Sequence, residues 1–393
     1  MNLAGGSRAF AMIGWPGDTV RKAPVNAASS DALLPPATTR VVPAAWPASR
    51  LAAGPLSSRA LVGSLERASP SYPLLAILGP TASGKSALAL AVADRLRGEV
   101  VNFDSVQVYR GFDVGSGKVS VPERRGIPHH LVDIVDPHEV FTAGDYRRKG
   151  LQALESVRER GKLPVLIGGT GLYLRALLVG LFDGTPRSEP LRRRLAVIAS
   201  RHGRPFLHRM LLRKDAASAN RIHPHDTQKI IRALEVCLLT RKSMSGLLSQ
   251  GRKGLGGFRV LKVGLNPPRD KLVRRIDARV IQMFAGGLVH EAQAVLAQAG
   301  TAKVAPLGAL GYRQACELAE GNLTLEAAVR QTQRATRQYA KRQTTWFRTE
   351  SDVRWFPGFG DDPEIERQVL SWLQEVLAEC PPDSTGSSIA SRS

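Results

Sequence analysis

The chain has 393 residues, with 55 Lys and Arg against 34 Asp and Glu for a formal net charge of +21; that length allows a sizeable core and more than one domain. Hydrophobic residues at 43% and charged residues at 23% describe an ordinary globular chain, and no apolar stretch approaches the ~20 residues of a membrane span. The basic excess points to a polyanion, nucleic acid first, and three scattered cysteines, Cys237, Cys316 and Cys380, exclude a disulfide framework and a paired-cysteine zinc site and point to a reducing compartment.

Residues 1–70 contain 15 Ala and 8 Pro without sustained periodicity, and the prolines interrupt any helix. The reading is a disordered N-terminal extension. Its weak resemblance to a transit peptide would place the protein in a mitochondrion, and a misassigned start site is the other explanation.

Residues 74–97 carry the strongest local signal. Leu74 to Leu78 reads as a buried strand and Lys85 to Arg97 as an apolar-faced helix, with Gly79, Pro80, Thr81, Ala82, Ser83, Gly84, Lys85 and Ser86 between them in P-loop spacing. Backbone N–H groups and the helix dipole of such a loop face an anion, the lysine adds a cation, and the Ser86 hydroxyl can hold Mg²⁺. Two or more linked phosphates are expected there, and the carrier molecule is left open.

A second strand, Glu99 to Phe103, ends at Asp104. In a doubly wound sheet the ligand crevice lies outside the carboxyl ends of the strands, so Asp104 and the P-loop converge. Asp104 is then a general base or metal ligand, or else a cap for the turn that follows. A third apolar run, His130 to Val135, precedes a helix over 144–160 and a short strand, Leu163 to Ile167, that runs into Gly168-Gly169-Thr170-Gly171. A nucleotide hydrolase would tend to end that strand in an acidic Mg²⁺-binding residue. Glycines there keep the backbone thin, either for a ligand or for a tight turn. The pairs His129-His130 and His223-x-His225 lack acidic or cysteine partners at ligand spacing and read as caps or surface groups.

From Arg187 to Arg221 ten Lys or Arg meet only Glu189 and Asp215, with helical spacing, and another helix near 226–239 leads into a Gly/Ser-rich stretch. The fold class is therefore α/β: a P-loop-type, mostly parallel sheet flanked by helices, with an inserted all-helical domain and a helical C-terminal part. The expected boundaries are 71–186 for the first part of the core, 187–257 for the insertion, 258–380 for the second part of the core, and 381–393 for a disordered tail. The second part opens with a strand, Arg259 to Leu265, and a helix bearing Arg274, Arg275 and Arg279. In the helix Leu325 to Phe347, Arg330, Arg334, Arg337 and Lys341 fall on one stripe. Four like charges weaken an isolated helix, so the stripe suggests phosphate contacts, with a solvated surface as the alternative.

Six segments, GPTASGKS at 79, DSVQVY at 104, GGTGLY at 168, RIHPHDTQKIIRALEV at 221, GYRQ at 311 and YAKRQTTWFR at 339, together resemble the bacterial tRNA dimethylallyltransferases over roughly residues 73–356. The resemblance implies transfer of a dimethylallyl group from dimethylallyl diphosphate to N6 of adenosine 37, beside the anticodon, in tRNAs reading codons that begin with U. It implies that Asp104 is the base, that Thr81 to Ser86 hold the diphosphate with Mg²⁺ on Ser86, and that Lys85 and Arg275 reach the same diphosphate. It places tRNA contacts at Asp104, Ser105, Val106, Gln107, Thr170, Arg192, Gln228, Lys229, Ile230, Ile231 and Arg232. The expected protein is a cytoplasmic monomer that binds the tRNA anticodon stem-loop and no membrane. A P-loop kinase of a small metabolite and an isopentenyltransferase acting on free nucleotide are the alternatives; neither explains the basic insertion and the striped helix.

Overall fold

The computed structural model describes residues 71–182, 185–300 and 304–378, all within one compact unit. The expected extension at 1–70, the tail at 381–393 and Cys380 lie outside the described residues. Six strands form one sheet: β1 (Tyr72–Leu78), β2 (Gly98–Asn102), β3 (His129–His130), β4 (Leu163–Ile167), β5 (Phe258–Leu265) and β6 (Val353–Phe356). Their order is β3-β2-β4-β1-β5-β6 and each pairing is parallel. A parallel sheet must be covered on both faces, which is why its strands read as nearly continuous apolar runs.

The period of two along β1 divides the core. Leu75 and Ile77 pack with Leu88 and Val92 of α1 (Lys85–Arg95) and with Val369 and Leu373 of α13 (Pro363–Ala378). Leu74, Ala76 and Leu78 face the other way, toward Tyr146 and Leu154 of α2 (Ala143–Glu159), Tyr173 and Leu174 of α3 (Gly171–Leu178), and Phe347 of α12 (Leu325–Phe347). Burying each such side chain stabilises the fold by roughly 1.5–3 kcal/mol.

The third apolar run makes only a two-residue strand. Leu131 and Asp133 have φ of 62° and 58°, a left-handed backbone that breaks an extended ladder, and beyond them the run makes only an isolated bridge, from Val135 to Tyr109 outside the strands.

The basic stretch folds as α4 (Glu189–His202), α5 (Arg204–Lys214), α6 (Ala216–Arg221) and α7 (Thr227–Thr240), and the Gly/Ser-rich stretch contains a short α8 (Met244–Ser249). Leu195, Leu207, Leu211, Ile230 and Leu234 give these helices an apolar core of their own. After β5 come α9 (Arg269–Ala285), α10 (Leu288–Ala299) and α11 (Tyr312–Ala319), which with α12 pack around Phe112, Leu288 and Tyr312. No single helix among the described residues is long and apolar enough to cross a membrane.

Candidate active site

The loop between β1 and α1 takes the left-handed conformation at Ala82 and Gly84, with φ of 62° and 83°. Gly84 has a second reason to be glycine: a Cβ there would stand 2.7 Å from both Asp361 Oδ1 and Gly360 N. The chain after β6 is thereby laid against the loop, and Gly360 N–H donates to Ser83 O at 2.9 Å.

Lys85 folds its ammonium back onto Pro80 O at 2.7 Å. Desolvation, and then the charge of Arg279, push its pKa down to about 7, against the pull of the Asp104 carboxylate. Arg279, on α9, makes no hydrogen bond or ion pair with the described residues. Burial lowers its pKa as well, again opposed by Asp104. Two desolvated cations thus share one carboxylate, an arrangement that an anion would relieve.

Asp104 caps its turn with one oxygen and turns the other toward the glycines after β4. Oδ1 accepts the N–H of Val106 at 2.9 Å and that of Gln107 at 3.4 Å, closing the turn. Oδ2 points toward the glycine turn after β4, 3.1 Å from where a Cβ on Gly169 would stand. The same Cβ would meet Gln343 Nε2 at 2.5 Å and the Tyr339 hydroxyl at 3.3 Å. The thin backbone therefore admits side chains of α12. Gln343 donates to Gly169 O at 3.0 Å and accepts the N–H of Thr81 at 2.8 Å, while Tyr339 donates to Gly169 O at 3.2 Å. Burial and Asp104 raise the Tyr339 phenol, which stays protonated. Thr170 Oγ1 accepts the N–H of Ser105 at 3.0 Å and donates to Ser105 Oγ at 3.1 Å, tying the turn after β4 to the one after β2.

Arg279, Tyr339 and Gln343 escaped the sequence reading as site residues. Tyr339 and Gln343 lie within the segment 339–348 already singled out, and Arg279 is one turn beyond Arg275. Arg275 itself is engaged elsewhere: its guanidinium donates to both oxygens of Asp361 at 2.7 and 2.8 Å and lies 3.8 Å over the Phe359 ring.

The expected tRNA contacts in the insertion are also partly committed. Glu235, fully buried, receives Arg192 at 3.1 Å and Arg232 at 2.7 Å, and Arg192 also donates to Gln228 at 3.3 Å. Ile230 and Ile231 are 0% and 5% exposed and fill the insertion's core, so their side chains are not a surface. Lys229 pairs with Asp226 at 3.0 Å. Gln107 donates to Ser116 O at 3.1 Å, and Val106 is half-buried.

The α12 stripe divides in two. Arg330 pairs with Glu326 at 3.2 Å and Arg337 makes a bidentate pair with Asp277. Arg334 and Lys341 are exposed and have no acidic partner among the described residues. Of the histidines, His130 bonds Glu99, which Arg160 also holds, and His223 Nδ1 accepts the N–H of His225.

Ser86 begins the first turn of α1, and its hydroxyl makes no hydrogen bond with the described residues. A cleft of about 1220 Å³ opens beside it, bounded by Arg279, Lys118, Asp361 and the facing sides of α1 and α13. No group of three or more His, Cys, Asp or Glu that could hold a metal occurs among the described residues. One hydroxyl beside a phosphate cradle suits Mg²⁺, which keeps most of its waters and takes further ligands from substrate phosphates.

A family model described as IPP transferase matches residues 107–350. The tRNA dimethylallyltransferase of Solibacter usitatus is 50% identical over 307 residues, 78% of this chain and all of that protein. That of Koribacter versatilis is 53% identical over 301 residues, 77% of this chain and 98% of its own. Among solved structures, the tRNA isopentenylpyrophosphate transferase of Bacillus halodurans matches with a TM-score of 0.57 at 37% identity, covering 78% of this chain and 97% of that one. A eukaryotic dimethylallyltransferase acting on tRNA matches with a TM-score of 0.68 at 26% identity, covering 80% and 82%. The chain belongs to the IPP transferase family.

Proposed function

We propose that this protein transfers a dimethylallyl group from dimethylallyl diphosphate to the N6 amine of adenosine 37, beside the anticodon of tRNAs that read codons beginning with U. The observation that carries the reading is the placement of Asp104 opposite Lys85 and Arg279. Two desolvated cations face one carboxylate, an arrangement that a bound anion would relieve.

In this reading the P-loop N–H groups and Lys85 hold the diphosphate, with Arg279 beside them and Arg275 at the loop's outer edge. The adenine amine attacks the allylic carbon as the bond from that carbon to the diphosphate oxygen breaks. Asp104 Oδ2 takes the amine proton, and the two cations receive the negative charge that moves onto the departing oxygen. Mg²⁺ bound at Ser86 would add charge neutralisation on the same diphosphate. No phosphoryl group moves, which accounts for a β4 that runs into glycines where a hydrolase needs an acid. The base must leave its stack to reach Asp104. Thr170 and Ser105 border that position; Arg192, Gln228, Lys229 and Arg232 would support the insertion's tRNA-facing side, with Arg334 and Lys341, which have no acidic partner among the described residues, exposed on α12. The protein is taken to act as a cytoplasmic monomer.

The test is incubation with dimethylallyl diphosphate, Mg²⁺ and unmodified tRNA, followed by digestion and mass spectrometry. Isopentenylated adenosine at the position beside the anticodon is the expected product. Consumption of ATP without RNA modification would instead favour a kinase.

A further inference from the structure

Ser86 also lines a second, smaller cavity of about 10 Å³, room for one water molecule. Its polar walls are Ser86, Asn102, Gln107, Lys118, Arg124 and His129. Most of these groups are already satisfied. Lys118 Nζ donates to Tyr109 O, Asp113 and Asp133. Gln107 Nε2 donates to Ser116 O and Gly117 O, and the Asn102 amide is used by Leu131 O and the N–H of Asp104. Arg124 Nε donates to Val119 O.

Among these groups the buried atom left over is on His129. Its Nδ1 lies 2.8 Å from Ile127 O, and a carbonyl only accepts, so the proton sits on Nδ1. Desolvation, with Arg124 and His130 nearby, keeps the ring neutral. Nε2 then carries a lone pair, and it is buried with no hydrogen-bond partner among the described residues. It requires a donor. A cation is a poor occupant, because Lys118 and Arg124 line the same space.

We propose that this cavity holds one ordered water that donates to His129 Nε2 and accepts the hydroxyl proton of Ser86. A serine that ligates a cation through an oxygen lone pair must point its proton elsewhere, and the water supplies the acceptor. The chain runs from Ser86 Oγ–H to water, from water to His129 Nε2, and from His129 Nδ1–H to Ile127 O. His129 is thus a positioning residue that aims the Ser86 lone pair at Mg²⁺, in the manner of outer groups that orient metal ligands. The inference rests on Ser86 being the cation's ligand, as the proposed function has it.

Mn²⁺ binding in the presence of inorganic pyrophosphate, followed by electron paramagnetic resonance, tests it in wild type, His129→Phe, Ser86→Ala and the double variant. Both single variants should weaken Mn²⁺ about tenfold or more, and the double variant should lose no more than Ser86→Ala alone. Wild-type Mn²⁺ affinity in His129→Phe, with a loss in Ser86→Ala, overturns the role of His129 and leaves the metal reading standing. Wild-type affinity in Ser86→Ala overturns both. Should His129→Phe fail to fold, nitrogen NMR of the unaltered protein decides: a proton on Nδ1 and a hydrogen-bonded, unprotonated Nε2 are expected. A proton on Nε2 refutes the proposal.

Discussion

Gln343 joins the P-loop to the end of β4 through a single amide, accepting the N–H of Thr81, 262 residues earlier in the chain, and donating to Gly169 O. Its side chain is only 5% exposed. Replacing it with Leu leaves the Thr81 N–H unpaired at a cost of about 1–3 kcal/mol, while Gly169 O keeps the Tyr339 hydroxyl. We expect a lower thermal midpoint by calorimetry and a fall of more than tenfold in kcat/KM in a tRNA prenylation assay. Full activity in Gln343→Leu would show that the loop keeps its shape without this tie.

The two oxygens of Asp104 have separable duties, and two substitutions separate them. Asn retains an acceptor for the Val106 N–H but takes no proton; Ala removes both. Both variants should lose about 10²–10⁴ in kcat. Only Ala should also lose stability, by about 1 kcal/mol, comparable to loss of a helix cap. Chemical denaturation and single-turnover prenylation measure the two effects independently.

Lys85 predicts a pH dependence for binding. In the free protein its pKa is near 7, so above that pH the ammonium is largely deprotonated. A bound diphosphate favours the charged form and raises the pKa. Binding above pH 7 must therefore take up a proton, whereas below pH 7 Lys85 already carries it. Affinity for a diphosphate should fall as pH rises above 7, by up to about tenfold per unit. Calorimetry at pH 8 in buffers of different ionisation enthalpy should report proton uptake, and Lys85→Arg should abolish it.

Arg279 and Arg275 lie one helical turn apart and should behave differently. Arg279 makes no hydrogen bond or ion pair with the described residues, so Arg279→Ala should weaken pyrophosphate binding tenfold or more with little change in thermal midpoint. Arg275→Ala breaks its pair with Asp361 and its contact with Phe359. Its main expected effect is on the stability of the 358–361 segment, measured by amide hydrogen exchange. Equal losses of pyrophosphate affinity in both variants would place Arg275 on the anion as well.

The α12 stripe predicts a split in salt dependence. Removing Arg334 or Lys341 should each reduce the slope of log affinity for tRNA against log salt by about 0.7–0.9. Removing Arg330, already paired with Glu326 at the surface, should change the slope less. Filter binding across a salt series measures both.

The local half of this architecture was legible in the sequence. Leu163–Ile167 and Leu325–Phe347 form over the residues their periodicity marked, and the P-loop announced itself by spacing between a strand and a helix. β6 was missed because four residues carry too little alternation to separate a strand from a loop. α10 and α11 passed without notice, although Leu288, Ala292, Val295 and Tyr312 are buried in one cluster.

What the residues determined by themselves is what depends on near neighbours: which segments are apolar, where the backbone must bend, and that Gly79 to Ser86 has the spacing of a phosphate-binding loop. Only the tertiary structure decided which charges are spent and which are free. Arg192 and Arg232 are consumed by the buried Glu235 and Arg337 by Asp277, while Arg279 is left facing Asp104. Pairing and desolvation are set by groups brought together across the fold, and one-dimensional spacing carries no record of that distance.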